Sequence, residues 1–110
     1  APFHCELMRS ATIKMREELV NVEFKNPKVN IISNVTAQPT NDPSEIKNLL
    51  IKQIEKPVRW REIVTNMIDL KVEKFIEIGP GKVLSGLVKR INNNVKLIQI
   101  NDLEDLNNLI

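Results

Sequence analysis

The sequence is poor in several residues that mark particular classes of protein. It has one cysteine, Cys5, and so no internal disulfide, which is consistent with a reducing compartment. It has no tyrosine, three phenylalanines and one tryptophan, and 16 basic residues against 14 acidic ones. Few aromatic side chains and little excess charge argue against nucleic-acid binding. No apolar run approaches the roughly 20 residues of a membrane span, so we expect neither nucleic acid nor a membrane as partner.

Familiar motifs of catalysis and phosphate binding are missing as well. There is no G-x-S-x-G nucleophile elbow and no G-x-x-x-x-G-K-[ST] loop. The nearest segment, GPGK at 79–82, is interpreted as a strand-to-helix turn, although an anion site at the helix start behind it is an alternative. His4, Cys5 and Glu6 are consecutive and no second ligand pair exists, so we expect no metal site.

What remains is an alternation of helix-like and strand-like segments. Apolar side chains three and four positions apart predict an amphipathic helix at the start of the chain. Short, apolar, β-branched segments predict three strands. Because helices separate these strands, we predict an α/β fold with a short, mostly parallel sheet flanked by helices. Helices are expected at 5–22, 41–57, 58–70, 82–91 and 102–110, and strands at 28–35, 73–78 and 94–100.

The second predicted helix has readable ends. Asp42 can cap it, Pro43 suits its first position, and Glu45 stands at the capping-box offset. Pro57 is expected to end the helix near Glu55. Carbonyls in the last turn of a helix lack internal partners, so one near Gln53 could accept a hydrogen bond from a histidine. An ordinary solvated helix residue is the other interpretation of Gln53.

The only histidine stands fourth in the chain, within APFHCELM. It is either an incidental side chain near a chain end or a general base, which needs one ring nitrogen held so that the other can take a proton. Pro2 and Phe3 before it and a helix after it would restrict its position. A dyad of His4 with Cys5 is a poor hypothesis, because catalytic pairs are normally distant in sequence.

Four segments, in this order, carry a family resemblance: PFHCELM, SNVTAQP, KQIEKPVRW and EIGPGKVLSGLVKRI. Together they resemble the C-terminal part of the malonyl-CoA:acyl carrier protein transacylase family, from Pro2 to about Ile91. The resemblance implies that residues 1–110 are the C-terminal portion of one α/β-hydrolase-like acyltransferase domain, at the end of its large subdomain. The nucleophile-bearing portion and a ferredoxin-like subdomain would lie outside this chain.

The same resemblance implies roles for particular residues. His4 would be the general base for a serine in a G-H-S-x-G elbow, and the main-chain carbonyl of Gln53 would orient it. Phe3 would lie beside the substrate, since it matches a malonyl-selecting pattern. Basic residues on the helix after the GPGK turn could dock an acidic carrier protein, although an ordinary solvated helix face is the other interpretation. These docking candidates are Lys82, Lys89 and Arg90.

The function implied is malonyl transfer from malonyl-CoA to the phosphopantetheine thiol of acyl carrier protein, through a seryl acyl-enzyme, in fatty acid biosynthesis. The partners would be malonyl-CoA, acyl carrier protein and the remainder of the acyltransferase chain, with no tightly bound cofactor and no metal. The bacterial cytoplasm or an organellar matrix would be the location. Two alternatives are an acyltransferase domain of a polyketide or fatty acid synthase and a non-catalytic module that only docks carrier protein.

Overall fold

The computed structural model describes all 110 residues, Ala1–Ile110, as two compact units, Ala1–Ile63 and Val64–Ile110. A 3₁₀ turn at Glu6–Met8 leads into five α-helices and four short strands. The helices are α1 (Arg9–Leu19), α2 (Pro43–Lys52), α3 (Trp60–Asp69), α4 (Val83–Ile91) and α5 (Leu103–Leu109). The strands are β1 (Ile31–Ile32), β2 (Pro39–Thr40), β3 (Lys74–Ile78) and β4 (Lys96–Ile100).

The parallel sheet is formed by β3 and β4, in register from Lys74 opposite Lys96 to Ile78 opposite Ile100. In the second unit α4 packs on both strands and α5 packs on β4. This arrangement of helices around a short parallel sheet confirms the predicted fold class. The buried side chains of the unit include Val64, Val88 and Ile100.

The first predicted strand is not part of that sheet. Only Ile31 and Ile32 form a strand, and they pair antiparallel with Thr40 and Pro39. The apolar run at 28–35 predicted a longer strand, but a turn at 34–36 reverses the chain and ends it. Ala37 closes this turn with φ 57° and is fully buried, so the segment serves as a tight corner of the first unit.

Helix α2 begins as expected but ends earlier. The Asp42 carboxylate accepts the N–H of Ser44 at 3.0 Å, and Pro43 is the first helical residue. The reciprocal bond of the capping box is indirect: Glu45 accepts the Thr40 hydroxyl at 2.6 Å, and that hydroxyl accepts the N–H of Asp42 at 3.3 Å. The helix ends at Lys52, not near Glu55, and continues as a turn through residues 53–55.

Apolar side chains remain exposed on both units. The apolar residues that predicted the first helix are only partly covered, although α1 packs on α2. Leu7, in the 3₁₀ turn, is 79% exposed, and Met15, in α1, is 40% exposed. In β3 the outward residues Ile76 and Ile78 are 44% and 78% exposed. Exposed and half-buried residues therefore alternate along this strand. The longest α-helix has 11 residues, and none of the helices is long and apolar enough to cross a membrane.

Candidate functional site

His4 is held at two points by the end of α2. Its main-chain N–H donates to the carbonyl oxygen of Ile54 at 2.8 Å, and its ring Nδ1 lies 2.9 Å from the carbonyl oxygen of Gln53. A carbonyl oxygen only accepts hydrogen bonds, so Nδ1 carries the proton. In the neutral ring Nε2 is then the nitrogen free to take a proton. The side chain is exposed, so a reacting group can approach it.

The backbone of His4 is in the left-handed region, with φ 65°. This conformation is uncommon for a residue other than glycine, and its cost is of the order of 1–3 kcal/mol. It persists where surrounding contacts determine it, and here the two carbonyl groups of Gln53 and Ile54 do so. Chain geometry and ring orientation at His4 therefore depend on one turn.

That turn presents its carbonyls because the helix stops there. The N–H of Gln53 still bonds to the carbonyl of Leu49 at 2.9 Å, and the N–H of Ile54 reaches the carbonyl of Ile51 at 3.4 Å. Gln53 keeps helical dihedral angles, φ −61° and ψ −21°. No residue farther along the chain continues the helix, so the last carbonyls lack helical partners. Those of Gln53 and Ile54 are taken by His4.

The side chain of Gln53 also forms a hydrogen bond, which the sequence pattern did not predict. It is half-buried, and its Oε1 accepts a hydrogen bond from Asn34 Nδ2 at 3.3 Å. Both residues line a small, mainly apolar cleft of about 110 Å³ with Ile32, Ile46 and Leu49. The interpretation of Gln53 as a solvated helix residue is therefore wrong. The signal for Asn34 was the motif SNVTAQP, which carried the resemblance without a role.

An ion pair ties the start of α1 to the same turn. Arg9 Nε donates to Glu55 Oε1 at 2.8 Å, and the Glu55 side chain is only 13% exposed. The Thr12 hydroxyl and the Arg9 guanidinium hold the pKa of the Glu55 carboxyl below its usual value. The charged form of Glu55 therefore fixes residues 53–55 against the helix that follows His4. Sequence spacing gave no sign of this pair, because its members are 46 residues apart.

The neighbours of His4 in sequence differ in their contacts. Phe3 is 58% exposed, and its ring centroid lies 6.4 Å from that of His4, with the rings tilted by 52°. The Cys5 thiol donates to the carbonyl of Pro2 at 3.0 Å. Phe3 is thus available at the surface beside His4, and its place beside a substrate stays a prediction. No group of three or more His, Cys, Asp or Glu side chains is placed to hold a metal ion.

The predicted docking residues lie in the second unit. Lys82, Lys89 and Arg90 are all exposed and form no ion pair. Lys82 precedes the first residue of α4, and it lines a shallow cleft together with Lys89, Ser85 and Gln99. The two lysines therefore share one face, as their spacing predicted, and the docking role stays a prediction.

The GPGK segment is closed by the protein itself. Gly79 and Gly81 have φ 136° and 86°, values that favour glycine. The Glu77 carboxylate accepts the N–H groups of Leu84 and Ser85 at 3.1 and 2.8 Å and the Ser85 hydroxyl at 2.7 Å. These bonds, the Ser85 hydroxyl first, lower the pKa of Glu77. The start of α4 is thus occupied by an internal carboxylate, which favours the turn over the anion site.

Comparisons with known proteins place the chain beside one kind of enzyme. It is 46% identical over 105 residues to malonyl CoA-acyl carrier protein transacylase of Bacillus subtilis strain 168, which covers 96% of this chain and 33% of the relative. The crystal structure of an acyl carrier protein S-malonyltransferase from Vibrio cholerae superposes with TM-score 0.89 at 42% identity, over 100% of this chain and 36% of that one. No protein-family model matches the chain.

A third comparison includes a partner. A structure of a type II PKS acyl-carrier protein in complex with its malonyl-transacylase matches with TM-score 0.87 at 37% identity, over 96% of this chain and 34% of that one. The chain spans about a third of the length of the curated relatives it matches. The family resemblance seen in the sequence is confirmed: almost the whole chain is similar to one segment of malonyl-CoA:acyl carrier protein transacylases.

Proposed function

We propose that the complete protein containing this chain transfers malonyl groups from malonyl-CoA to the phosphopantetheine thiol of acyl carrier protein in fatty acid biosynthesis. One observation carries the role of this segment: the ring Nδ1 of His4 lies 2.9 Å from the main-chain carbonyl of Gln53. A general base needs such a partner to fix its tautomer. The similarity to named transacylases supports the reaction.

The proposed mechanism has two half-reactions with His4 as the base in both. Nε2 takes the proton of a serine hydroxyl, the serine oxygen attacks the thioester carbonyl, and the carbon–sulfur bond breaks. The proton passes to the departing sulfur, so coenzyme A leaves as the thiol. The phosphopantetheine thiol then gives its proton to Nε2 and attacks the malonyl-serine ester, and the serine oxygen leaves with that proton.

The orientation of His4 is the contribution of this chain to that cycle. Each half-reaction forms an imidazolium, which the Gln53 carbonyl stabilises as an acceptor of the Nδ1 proton. A carbonyl does this without the full negative charge that a carboxylate would supply. The serine, the groups that stabilise the oxyanion and the arginine that pairs with the malonyl carboxylate are assigned to other parts of the protein. No metal or tightly bound cofactor enters this mechanism.

Acyl carrier protein is the proposed macromolecular partner, and it would act with this protein in the bacterial cytoplasm or an organellar matrix. Support comes from the solved complex of a malonyl-transacylase with its carrier protein. The proposed contact is the cleft at α4 that Lys82 and Lys89 line, together with the exposed Arg90 that follows Lys89 in the sequence. Because that complex contains a polyketide carrier protein, an acyltransferase of polyketide synthesis is the second candidate.

The test of the proposed function uses two proteins. The complete protein should gain the mass of one malonyl group on a serine when mixed with malonyl-CoA, and should pass it to acyl carrier protein. The 110-residue chain alone should gain no such adduct, since the proposed nucleophile lies elsewhere. A stable serine-linked malonyl adduct on the short chain contradicts that assignment. A complete protein that binds carrier protein but never turns over malonyl-CoA supports the docking-module alternative.

A further inference from the structure

The connection between α2 and α3, residues 53–59, carries both carbonyls that hold His4. We infer that Asn34 is a positioning residue for His4, because it binds this connection at both of its ends. The inference rests on the proposed function of His4 as the general base. It assigns a role to SNVTAQP, the one motif of the resemblance to which no function was attached.

Asn34 uses different atoms at the two ends. At the first end its side-chain Nδ2 donates to Gln53 Oε1 at 3.3 Å. At the other end its main-chain carbonyl accepts the N–H of Arg59 at 3.3 Å. The Arg59 guanidinium adds bonds to the carbonyls of Val35 and Thr36, at 3.4 and 3.1 Å. One residue therefore closes a loop whose two ends are six positions apart.

Asn34 itself is fixed by the turn in which it lies. The Ser33 hydroxyl accepts the N–H of Val35 at 3.1 Å, and the Ser33 carbonyl accepts the N–H of Ala37 at 2.9 Å. Ala37 is fully buried with φ 57°, a conformation that its surroundings must maintain. The amide of Asn34 thus projects from a rigid corner, which suits it to hold another group in place.

The position of Gln53 matters more than that of an ordinary helix end. Its carbonyl sets the ring of His4, while the next carbonyl, of Ile54, sets the backbone of His4. Both carbonyls must keep their direction to maintain a left-handed residue. The Gln53 side chain has one protein partner, Asn34. The Gln53 carbonyl shares its planar peptide unit with the N–H of Ile54, whose bond to the carbonyl of Ile51 is long, at 3.4 Å. Losing the Asn34 amide therefore leaves this peptide more weakly held.

The test is a set of variants of the complete enzyme, assayed for malonyl transfer with saturating carrier protein. Asn34→Ala should lower kcat about five-fold, the effect of one hydrogen bond of about 1 kcal/mol, with KM for malonyl-CoA unchanged. Asn34→Asp is the matched variant. Its carboxylate can accept from the Gln53 amide after that amide rotates, so it should keep kcat near wild type.

A double-mutant cycle separates positioning from general stability. If Asn34 acts through the Gln53 side chain, Asn34→Ala with Gln53→Ala should be no slower than the slower single variant. Effects that multiply to about 25-fold, or a wild-type kcat in Asn34→Ala, overturn the inference. If Asn34→Ala does not fold by circular dichroism, Asn34→Ser takes its place, since its shorter side chain also loses Gln53; a wild-type kcat there likewise overturns it.

His4→Ala, measured beside these variants, shows which idea has failed. An inactive His4→Ala with a fully active Asn34→Ala leaves the proposed function standing and removes the role of Asn34. An active His4→Ala removes the general base and with it the premise of the inference.

Discussion

Two helix ends in this chain satisfy their free backbone groups in opposite ways. At the end of α2 the carbonyls of Gln53 and Ile54 accept hydrogen bonds from His4. At the start of α4 the N–H groups of Leu84 and Ser85 donate to Glu77. Both ends are bonded by groups from outside the helix, the ring and main-chain N–H of His4 at α2 and the Glu77 carboxylate at α4.

The difference lies in what the outside side chain has left to offer. The oxygens of the Glu77 carboxylate accept hydrogen bonds from two amides and a hydroxyl, so Glu77 acts as a structural cap at the start of α4. The imidazole of His4 uses one nitrogen in its hydrogen bond and leaves the other available, as the proposed role of a general base requires. A helix end becomes part of a site only when its partner keeps a reactive atom.

Removing the His4 side chain, which bonds to the end of α2, should have the largest effect on activity. In the complete enzyme, His4→Ala should lower kcat by ~10²–10⁴-fold, the usual scale of general base catalysis. KM for malonyl-CoA should change much less, because the carboxylate-binding arginine is proposed to lie elsewhere. Steady-state kinetics with malonyl-CoA and carrier protein measure both. A His4→Ala enzyme within a few-fold of wild type takes His4 out of the mechanism.

Moving the carbonyls while keeping His4 should have the next largest effect. Ile54→Pro disfavours helical angles in the residue before it, and Gln53 has φ −61° and ψ −21°. Its carbonyl should turn away from the ring, lowering kcat by roughly ten-fold or more. Gln53→Ala keeps the carbonyl and should cost only a few-fold.

Pro57→Ala changes the same connection beyond the turn of residues 53–55 and at an exposed position, so it should lower kcat less than Ile54→Pro does. All three variants should be checked for folding by circular dichroism before kcat is measured. If folded Gln53→Ala is as slow as His4→Ala, the side chain of Gln53 is the working group and the carbonyl model is wrong.

The surface of α4 offers a smaller and salt-dependent effect. Reversing Lys82 and Lys89 to glutamate should slow malonyl transfer to acyl carrier protein several-fold at low salt, because exposed charges act mainly on association rate. Transfer to pantetheine, a small thiol, should be unchanged. Lys74→Glu with Lys96→Glu, also exposed and in the same unit, is the control. Equal slowing of both acceptors, or of neither, removes α4 as the docking surface.

Weakening the hydrogen bonds of Glu77 at the start of α4 should have the smallest effect, and that effect should be on stability alone. The pKa of Glu77 is lowered in the fold, so its ionised form contributes stability above the usual value of 4.5 that is lost as pH falls below it. Glu77→Gln should lower the thermal midpoint at pH 7, and its difference from wild type should shrink as the pH falls below 4.5. Thermal unfolding across that range measures it. A difference that does not shrink toward acid pH contradicts the role of the charge.

Local patterns in the sequence predicted the elements well where the causes are local. Asp42 and Pro43 stand at the start of α2, as predicted, and a helix lies within the predicted range 58–70 as α3. The GPGK turn has positive φ at two glycines, and glycine is the residue type that such angles favour. The end of α2 was placed three residues too late because Pro57 sets only an outer limit, while the turn before it depends on contacts with other segments.

The sequence by itself determined the helices, the parallel pair of strands and, through the family resemblance, the pairing of His4 with Gln53 that the geometry displays as a 2.9 Å contact. Only the tertiary structure decided the partners that brace this contact. Asn34 reaches Gln53 across 19 residues and Arg9 reaches Glu55 across 46. Hydrogen bonds between distant residues leave no periodic trace in a chain, because each depends on how the backbone folds back and not on the spacing of neighbours.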